Sequence, residues 1–214
     1  MREFLRVPKS SLGFLRGPPR YNIAPTQPVA AVRASMASGR RELTYFHWGL
    51  IPSWAKDLKM GARLINARAE TAAEKPSFRA ALKYRRCLVP ADGFYEWQKT
   101  NGKKQPVYIK MADGRPFAFA GLWEHWQGAD GSEIESCTLL TTSPNELLRS
   151  VHDRMPVILH PDDYDLWLDT KMQTADRLQP LLQPYPAEEM TFYPVSTLVN
   201  TPQIDDPRLV EPWN

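Results

Sequence analysis

Residues 93–123 read GFYEWQKTNGKKQPVYIKMADGRPFAFAGLW, and this stretch decides the fold. Asn101-Gly102 stands between two alternating runs, GFYEWQK and PVYIKM. Asn-Gly in that position is a strong short-range hairpin signal, because the favoured two-residue turn needs positive φ at both central residues. Asp113-Gly114 marks a second turn, into PFAFAGLW. Strands joined by such short turns predict an antiparallel meander that curls into a sandwich or partial barrel.

Outward from this stretch the same pattern recurs. PVAAVR (Pro28 to Arg33) and ELTYFH (Glu42 to His47) read as strands, separated by the Ala/Ser/Gly stretch near Ser38-Gly39. Cys87-Leu88-Val89 reads as a short buried strand. CTLLTT (Cys137 to Thr142), MPVIL (Met155 to Leu159) and Met190 to Val195 read likewise. Residues 69–84 read as helical, with Pro76 in the first turn before SFRAALKY. Ser143-Pro144-Asn145-Glu146 reads as a capping box that opens a short helix. Pro161-Asp162-Asp163 opens another, carrying Leu166, Trp167 and Leu168, and its acidic first turn suits the helix dipole. A further helix falls around residues 174–183. WGLIPSW, Trp48 to Trp54, holds Gly and Pro and reads as an aromatic loop. The Pro- and Asp-rich tail from Asn200 reads as surface-wrapped. The predicted class is α+β: a curved, mainly antiparallel sheet forming a barrel-like core, with short peripheral helices.

A chain of 214 residues fits one domain, residues 1–214. Its 20 Pro argue against an all-helical bundle. Residues 1–20 carry Arg2, Arg6, Lys9, Arg16 and Arg20 around Gly17-Pro18-Pro19 and read as an irregular basic arm. The net charge of +3 hides a split. Residues 1–110 hold 21 Lys+Arg against 7 Asp+Glu, and residues 111–214 hold 6 against 17. The split suggests a basic face that meets an anion; the plainer alternative is that the two halves complement each other.

Two cysteines make no disulfide framework. No run of 18 apolar residues suggests a membrane span, and the first residues lack the apolar region of a signal peptide. The chain reads as cytoplasmic. None of the four His lies in HxxxH, HExxH or a Cys/His cluster, and P-loop and GxGxxG motifs are absent, so no metal or cofactor is implied.

Four segments place polar side chains among apolar neighbours: RYNIAPTQ (Arg20 to Gln27), LINARAET (Leu64 to Thr71), VPADGFYEW (Val89 to Trp97) and VHDRMPV (Val151 to Val157). Glu96 sits between Tyr95 and Trp97, and a partly desolvated carboxyl has a raised pKa suited to acid/base work. His152 follows Val151 and is a natural proton shuttle near neutral pH. Taken singly, each has a bland reading. Glu96 reads as a solvated strand residue, His152 as a structural His, and Asn66 as a turn former.

Together the blocks RYNIAPTQ, WGLIPSW, LINARAET, CLVPADGFYEW, KKQPVYI and VHDRMPV, in this order, resemble the SRAP family, the SOS-response-associated peptidase fold. The resemblance runs from about Arg20 to about Val199. It implies recognition of abasic sites in single-stranded DNA; the chain itself is read as a monomer. It implies that Asn66 orients the linkage to the opened sugar, that Glu96 assists acid/base steps and self-processing, and that His152 protonates the leaving sugar oxygen or promotes reversal. Arg68, with Trp48 and Trp54, would hold phosphates and stack on bases; Arg20, Asn22 and Arg154 are further DNA-binding candidates. Arg pairs well with phosphate oxygens, and aromatics stack on single strands with little sequence preference.

The family nucleophile is a Cys at position 2, whose thiol and α-amine form a thiazolidine with the abasic aldehyde. Here Arg2 stands there, and no Cys precedes Cys87. Cys87 and Cys137 read as buried small hydrophobes. Three explanations follow: a start assigned elsewhere than in the native gene, a decayed copy, or a protein that works without the thiol. In the last case a neutral fraction of the Met1 α-amine, pKa ~8, would form a reversible Schiff base with the aldehyde. Two other classes stay open, a Cys/His peptidase and a non-catalytic single-strand binder.

Overall fold

The computed structural model describes residues 2–5, 7, 17–35, 37–100 and 102–213. Met1 and, from the expected basic arm, Arg6, Lys9 and Arg16 lie outside the described residues, as does Asn101 of the hairpin turn. Arg2–Leu5 is a short helical turn (α1) rather than irregular chain. Leu5 is fully buried, and Phe4 packs edge-on against Tyr164 at 5.4 Å between ring centroids.

Eleven strands follow among the described residues: β1 (Pro28–Ala34), β2 (Arg41–Trp48), β3 (Asn66–Arg68), β4 (Arg86–Ala91), β5 (Phe94–Thr100), β6 (Lys103–Met111), β7 (Phe117–Gln127), β8 (Glu133–Thr142), β9 (Met155–Pro156), β10 (Ile158–Leu159) and β11 (Met190–Pro194). The helices α2 (Arg79–Tyr84), α3 (Tyr164–Leu168) and α4 (Ala175–Leu178) are short. The first hairpin is as the turn chemistry predicts: β5 pairs antiparallel with β6 from Phe94↔Ile109 to Thr100↔Lys103, and Gly102 has φ +77°. The expected meander stops there: after the Asp113-Gly114 turn β7 leaves β6 for another sheet and pairs with β4 and β8, while β6 takes β11 as its second neighbour.

Five strands close a ring, in the order β7, β4, β1, β2, β8 and back to β7. All its pairings are antiparallel except β2–β8, a parallel seam at His47↔Ser136 and Trp48↔Cys137. Arg33 shows which side faces inward. Its guanidinium lies 4.4 Å from the Trp123 ring and 5.5 Å from the Phe46 ring, and it pairs with Glu42 and Glu135. Side chains from β1, β2, β7 and β8 converge there, so this face lines the ring. The core cluster on that face includes Ala31, Phe46, Cys87 and Cys137 and continues to Val107, Ile109 and Met111 of β6. The opposite face packs Val32, Leu43, Leu88, Ala120 and Leu140 against Leu82, Trp167 and Leu178 of the short helices. The smaller sheet, β11–β6–β5, leans its other face on the tail through Tyr108, Val195, Val199 and Leu209.

Two expected helices are different. Residues 69–78 are turns, and only Arg79–Tyr84 is α-helical. Thr71 N–H bonds Arg68 O, and Glu74 and Lys75 N–H both bond Thr71 O. Pro76 has no N–H to continue such a ladder and disfavours the α conformation at Lys75. After β8, the capping box gives way to one 3-10 turn, Leu148–Ser150. Its side-chain acceptor is Asn145 Oδ1, which takes the Leu148 N–H at 3.0 Å. The tail is also more firmly held than a surface wrap, since Leu209 is fully buried.

The charge split is partly neutralised within the fold. Arg20–Asp205, Arg33–Glu135, Arg41–Asp165 and Arg85–Glu124 each join the basic half to the acidic half. Lys56, Lys59, Arg63 and Arg68 stay exposed around the third strand. No described helix is long and apolar enough to cross a membrane.

Candidate functional site

Asn66 and Arg68 alternate with Ala67 on β3, so Ala67 is buried while the two polar side chains are exposed. β3 runs parallel to β8, with Asn66 opposite Leu139 and Arg68 opposite Thr141. The loop before it returns tightly. Trp48 Nε1 donates to Ile65 O at 2.9 Å, and Leu50 N–H donates to Leu64 O at 3.1 Å. At its neck Gly49 has φ +136°, and a β-carbon there would lie 2.7 Å from Gly61 O. Glycine at both positions lets the chain double back, so that Trp54 stands out at 56% exposure. Trp48 is half-buried and supports the loop; Trp54 offers a free aromatic face.

Glu96 lies on β5, opposite Val107. Strand alternation puts Gln98 on the same face, and Gln98 Nε2 donates to Ser150 O at 3.1 Å. That bond turns the Glu96 face toward the 150–153 segment. Burial raises the Glu96 pKa above the ordinary carboxylate value; the charge of His152 pulls the other way, and Asp153 adds to the rise. Glu96 and His152 are thus electrostatic neighbours. The bland reading of Glu96 as a plainly solvated residue does not describe its half-buried place.

His152 is exposed at the turn after Leu148–Ser150, with its own N–H bonded to Leu148 O. Its Nδ1 lies 3.1 Å from Arg154 N, 3.2 Å from Arg154 O and 3.1 Å from Asp153 Oδ1, accepting from the first or donating to the oxygens according to the tautomer. With Nδ1 engaged by backbone and Asp153, Nε2 is the ring nitrogen left for a substrate. The Arg154 side chain crosses the end of β8. Its Nη1 and Nη2 form a fork on Glu70 Oε1 and Oε2 at 2.7 and 2.8 Å, and Nη2 also donates to Thr141 O at 2.5 Å. This holds the Glu70 carboxyl below its ordinary pKa.

The candidates therefore divide. Arg68, Glu70, His152 and Arg154 meet at the end of β8, Asn66 stands one step back opposite Leu139, and Glu96 is the electrostatic neighbour of His152 from the smaller sheet. Asn22 does not join them as a free group. It is 6% exposed, and its amide donates to the carbonyls of Val199, Thr201 and Ile204. Arg20 is likewise engaged, with Pro28 O, Gln27 Oε1 and Asp205. Both hold the fold behind the site. Sequence reasoning did not single out Glu70 or Gln98. A carboxylate inside LINARAET was the one available signal for Glu70; Gln98 had none. Among the described residues no group of three His, Cys, Asp or Glu is placed to hold a metal.

The family model described as SOS response associated peptidase (SRAP) matches residues 9–202. The abasic site processing protein YoqW of Bacillus subtilis is 49% identical over 194 residues, which cover 90% of this chain and 86% of that protein. The abasic site processing protein HMCES of Xenopus tropicalis is 37% identical over 194 residues, covering 79% of this chain and 57% of its own. A crystal structure of a Bacteroides thetaiotaomicron protein superposes with a TM-score of 0.80 at 31% identity, over 88% of this chain and 82% of that one.

Proposed function

The chain belongs to the SOS response associated peptidase (SRAP) family, and from that premise we propose that it recognises abasic sites in single-stranded DNA and assists proton transfers at the opened sugar. The observation that carries the reading is Glu96. It is a half-buried carboxyl with a raised pKa, turned toward an exposed His152, in a chain whose relatives are named abasic site processing proteins.

The roles follow from chemistry. Asn66 presents an exposed amide, donor and acceptor together, to the sugar of the abasic nucleotide. Glu96, its pKa raised by burial, keeps its proton to higher pH than a solvated carboxyl would and takes one up more readily. His152 offers Nε2 to the sugar oxygen. Arg68 pairs with a phosphate, and Trp54 stacks on a flanking base. The missing base leaves room for side chains to reach C1 of the sugar, which an intact nucleotide would block.

Neither Cys87 nor Cys137 supplies the nucleophile, because both thiols are fully buried. A Cys/His peptidase using them is disfavoured on the same ground. The Schiff-base route through Met1 involves a residue outside the described ones.

The test is binding of the full chain to a fluorescent single-stranded oligonucleotide with one abasic site, against the intact strand and the duplex. Tighter binding to the abasic single strand is expected. Affinity should fall with salt, by a log–log slope of about −0.7 per phosphate contacted. Equal affinity for abasic and intact strands would leave only a plain single-strand binder.

A further inference from the structure

We propose that Glu70 is a positioning residue: by clamping Arg154 it locks the turn that carries His152 to the strand that carries Asn66. The inference rests on the reading of His152 as the proton-transfer group at an abasic sugar, and extends it to a residue that never touches the substrate.

The geometry begins with Arg154. Its guanidinium carries five N–H groups. Nη1 and Nη2 fork onto the two Glu70 oxygens, and Nη2 also reaches Thr141 O. Nε is buried without a partner. Little of this group remains for a phosphate, so Arg154 is better placed as a tie than as a DNA clamp. A bidentate fork fixes orientation as well as distance, which a single carbonyl contact does not.

The tie spans two segments distant in sequence. Glu70 lies just beyond β3, four residues after Asn66 and two after Arg68. Ala69 N–H and Arg154 Nη2 share the same acceptor, Thr141 O. At the other end, the Arg154 backbone holds His152 Nδ1. Any shift of Arg154 therefore moves the support that holds the His152 ring and aims Nε2. The Glu70 side chain is 46% exposed and that of Arg154 23%, and an ion pair so near the surface adds little to stability. Its cost of removal should appear in the site and not in the fold.

The test uses the full chain with labelled histidine. Long-range 1H–15N spectra of the imidazoles are recorded for wild type, Glu70→Gln and Glu70→Ala, with His152 assigned from the loss of its signal in His152→Gln. In Glu70→Ala the His152 imidazole signals should move away from their wild-type positions, while the melting temperature stays close to wild type. The preference for abasic over intact strand should drop about three- to tenfold, the scale of one ordinary hydrogen bond. Glu70→Gln keeps one acceptor and should fall between.

Unmoved His152 signals in Glu70→Ala would overturn the proposal. So would tighter binding of both strands with unmoved signals, since Glu70 would then merely mask a phosphate clamp at Arg154. If wild type fails to distinguish the two strands, the functional reading falls, and the spectral shift alone decides whether Glu70 positions His152.

Discussion

Asp205 Oδ1 accepts the backbone N–H groups of Tyr21, at 2.5 Å, and of Asn22, at 3.1 Å, across more than 180 residues of chain. Asn22 answers with its own amide, bonded to three carbonyls between Val199 and Ile204. Tyr21 O in turn accepts from Tyr95 OH at 2.7 Å, one residue before Glu96. The RYN segment, the tail and β5 form one unit. Removing the Asn22 amide leaves buried carbonyls without a donor, at a cost of about 1–3 kcal/mol. Asn22→Ala is expected to lower the urea midpoint with little change in its slope; an unchanged midpoint would mean that water replaces the amide without loss.

Glu96 gives a pH signature with a definite sign. Its folded pKa is raised by burial above the ordinary 4.5. In that window the folded state binds more protons than the unfolded one, so stability falls as pH rises from 4.5 through the folded pKa, and then levels off. Glu96→Gln carries no such loss. It should melt above wild type at about pH 7 and approach it at about pH 4, while acid/base steps at the abasic site slow. Thermal melts at the two pH values check this; a gap that widens toward acid would reverse the assignment.

The two loop tryptophans should separate binding from folding. Trp54 is mostly exposed, so Trp54→Ala should leave the melting temperature in place. It should weaken single-strand binding by about 1–3 kcal/mol, the worth of one stacked base. Trp48 packs on the core and donates to Ile65 O, directly before Asn66. Trp48→Ala should cost about 2 kcal/mol or more in stability. Anisotropy titrations beside thermal melts would show whether the pattern is reversed.

The β5–β6 hairpin was legible because its turn carries its own chemistry: Asn101-Gly102 needs no distant partner. The Asp113-Gly114 turn was legible as a turn, but local sequence did not tell that it leads β7 into another sheet. The closure of the ring was not, because it depends on pairings such as Trp123↔Cys137 and Trp48↔Cys137, which no local pattern encodes. Composition misled at residues 69–78, where helix-forming residues take up turns instead. Asn66, Glu96 and His152 stood out as polar groups in apolar settings. Asn22 stood out for the same reason, and its burial came from holding the tail. Glu70 escaped notice because its meaning lies in Arg154, 84 residues away. Likewise, a charge split along the chain does not reveal that Arg33 is matched by Glu135 and Arg85 by Glu124.

The cysteines offer the sharpest chemical check. Cys87 of β4 pairs with Gly121 of β7, and Cys137 of β8 pairs with Trp123 of β7. Burial pushes both thiols up, and for Cys87 the nearby Cys137 adds to it. A thiol needs its thiolate and access to react, and here both are lacking. Native protein should resist iodoacetamide and take up two equivalents after unfolding in urea, read by intact mass. Replacing both with Ala should cost about 1–2 kcal/mol at each site, since small cavities open in the core, yet leave abasic-strand binding as in wild type. Labelling of either thiol in folded protein, with a matching loss of activity, would return a cysteine nucleophile to consideration.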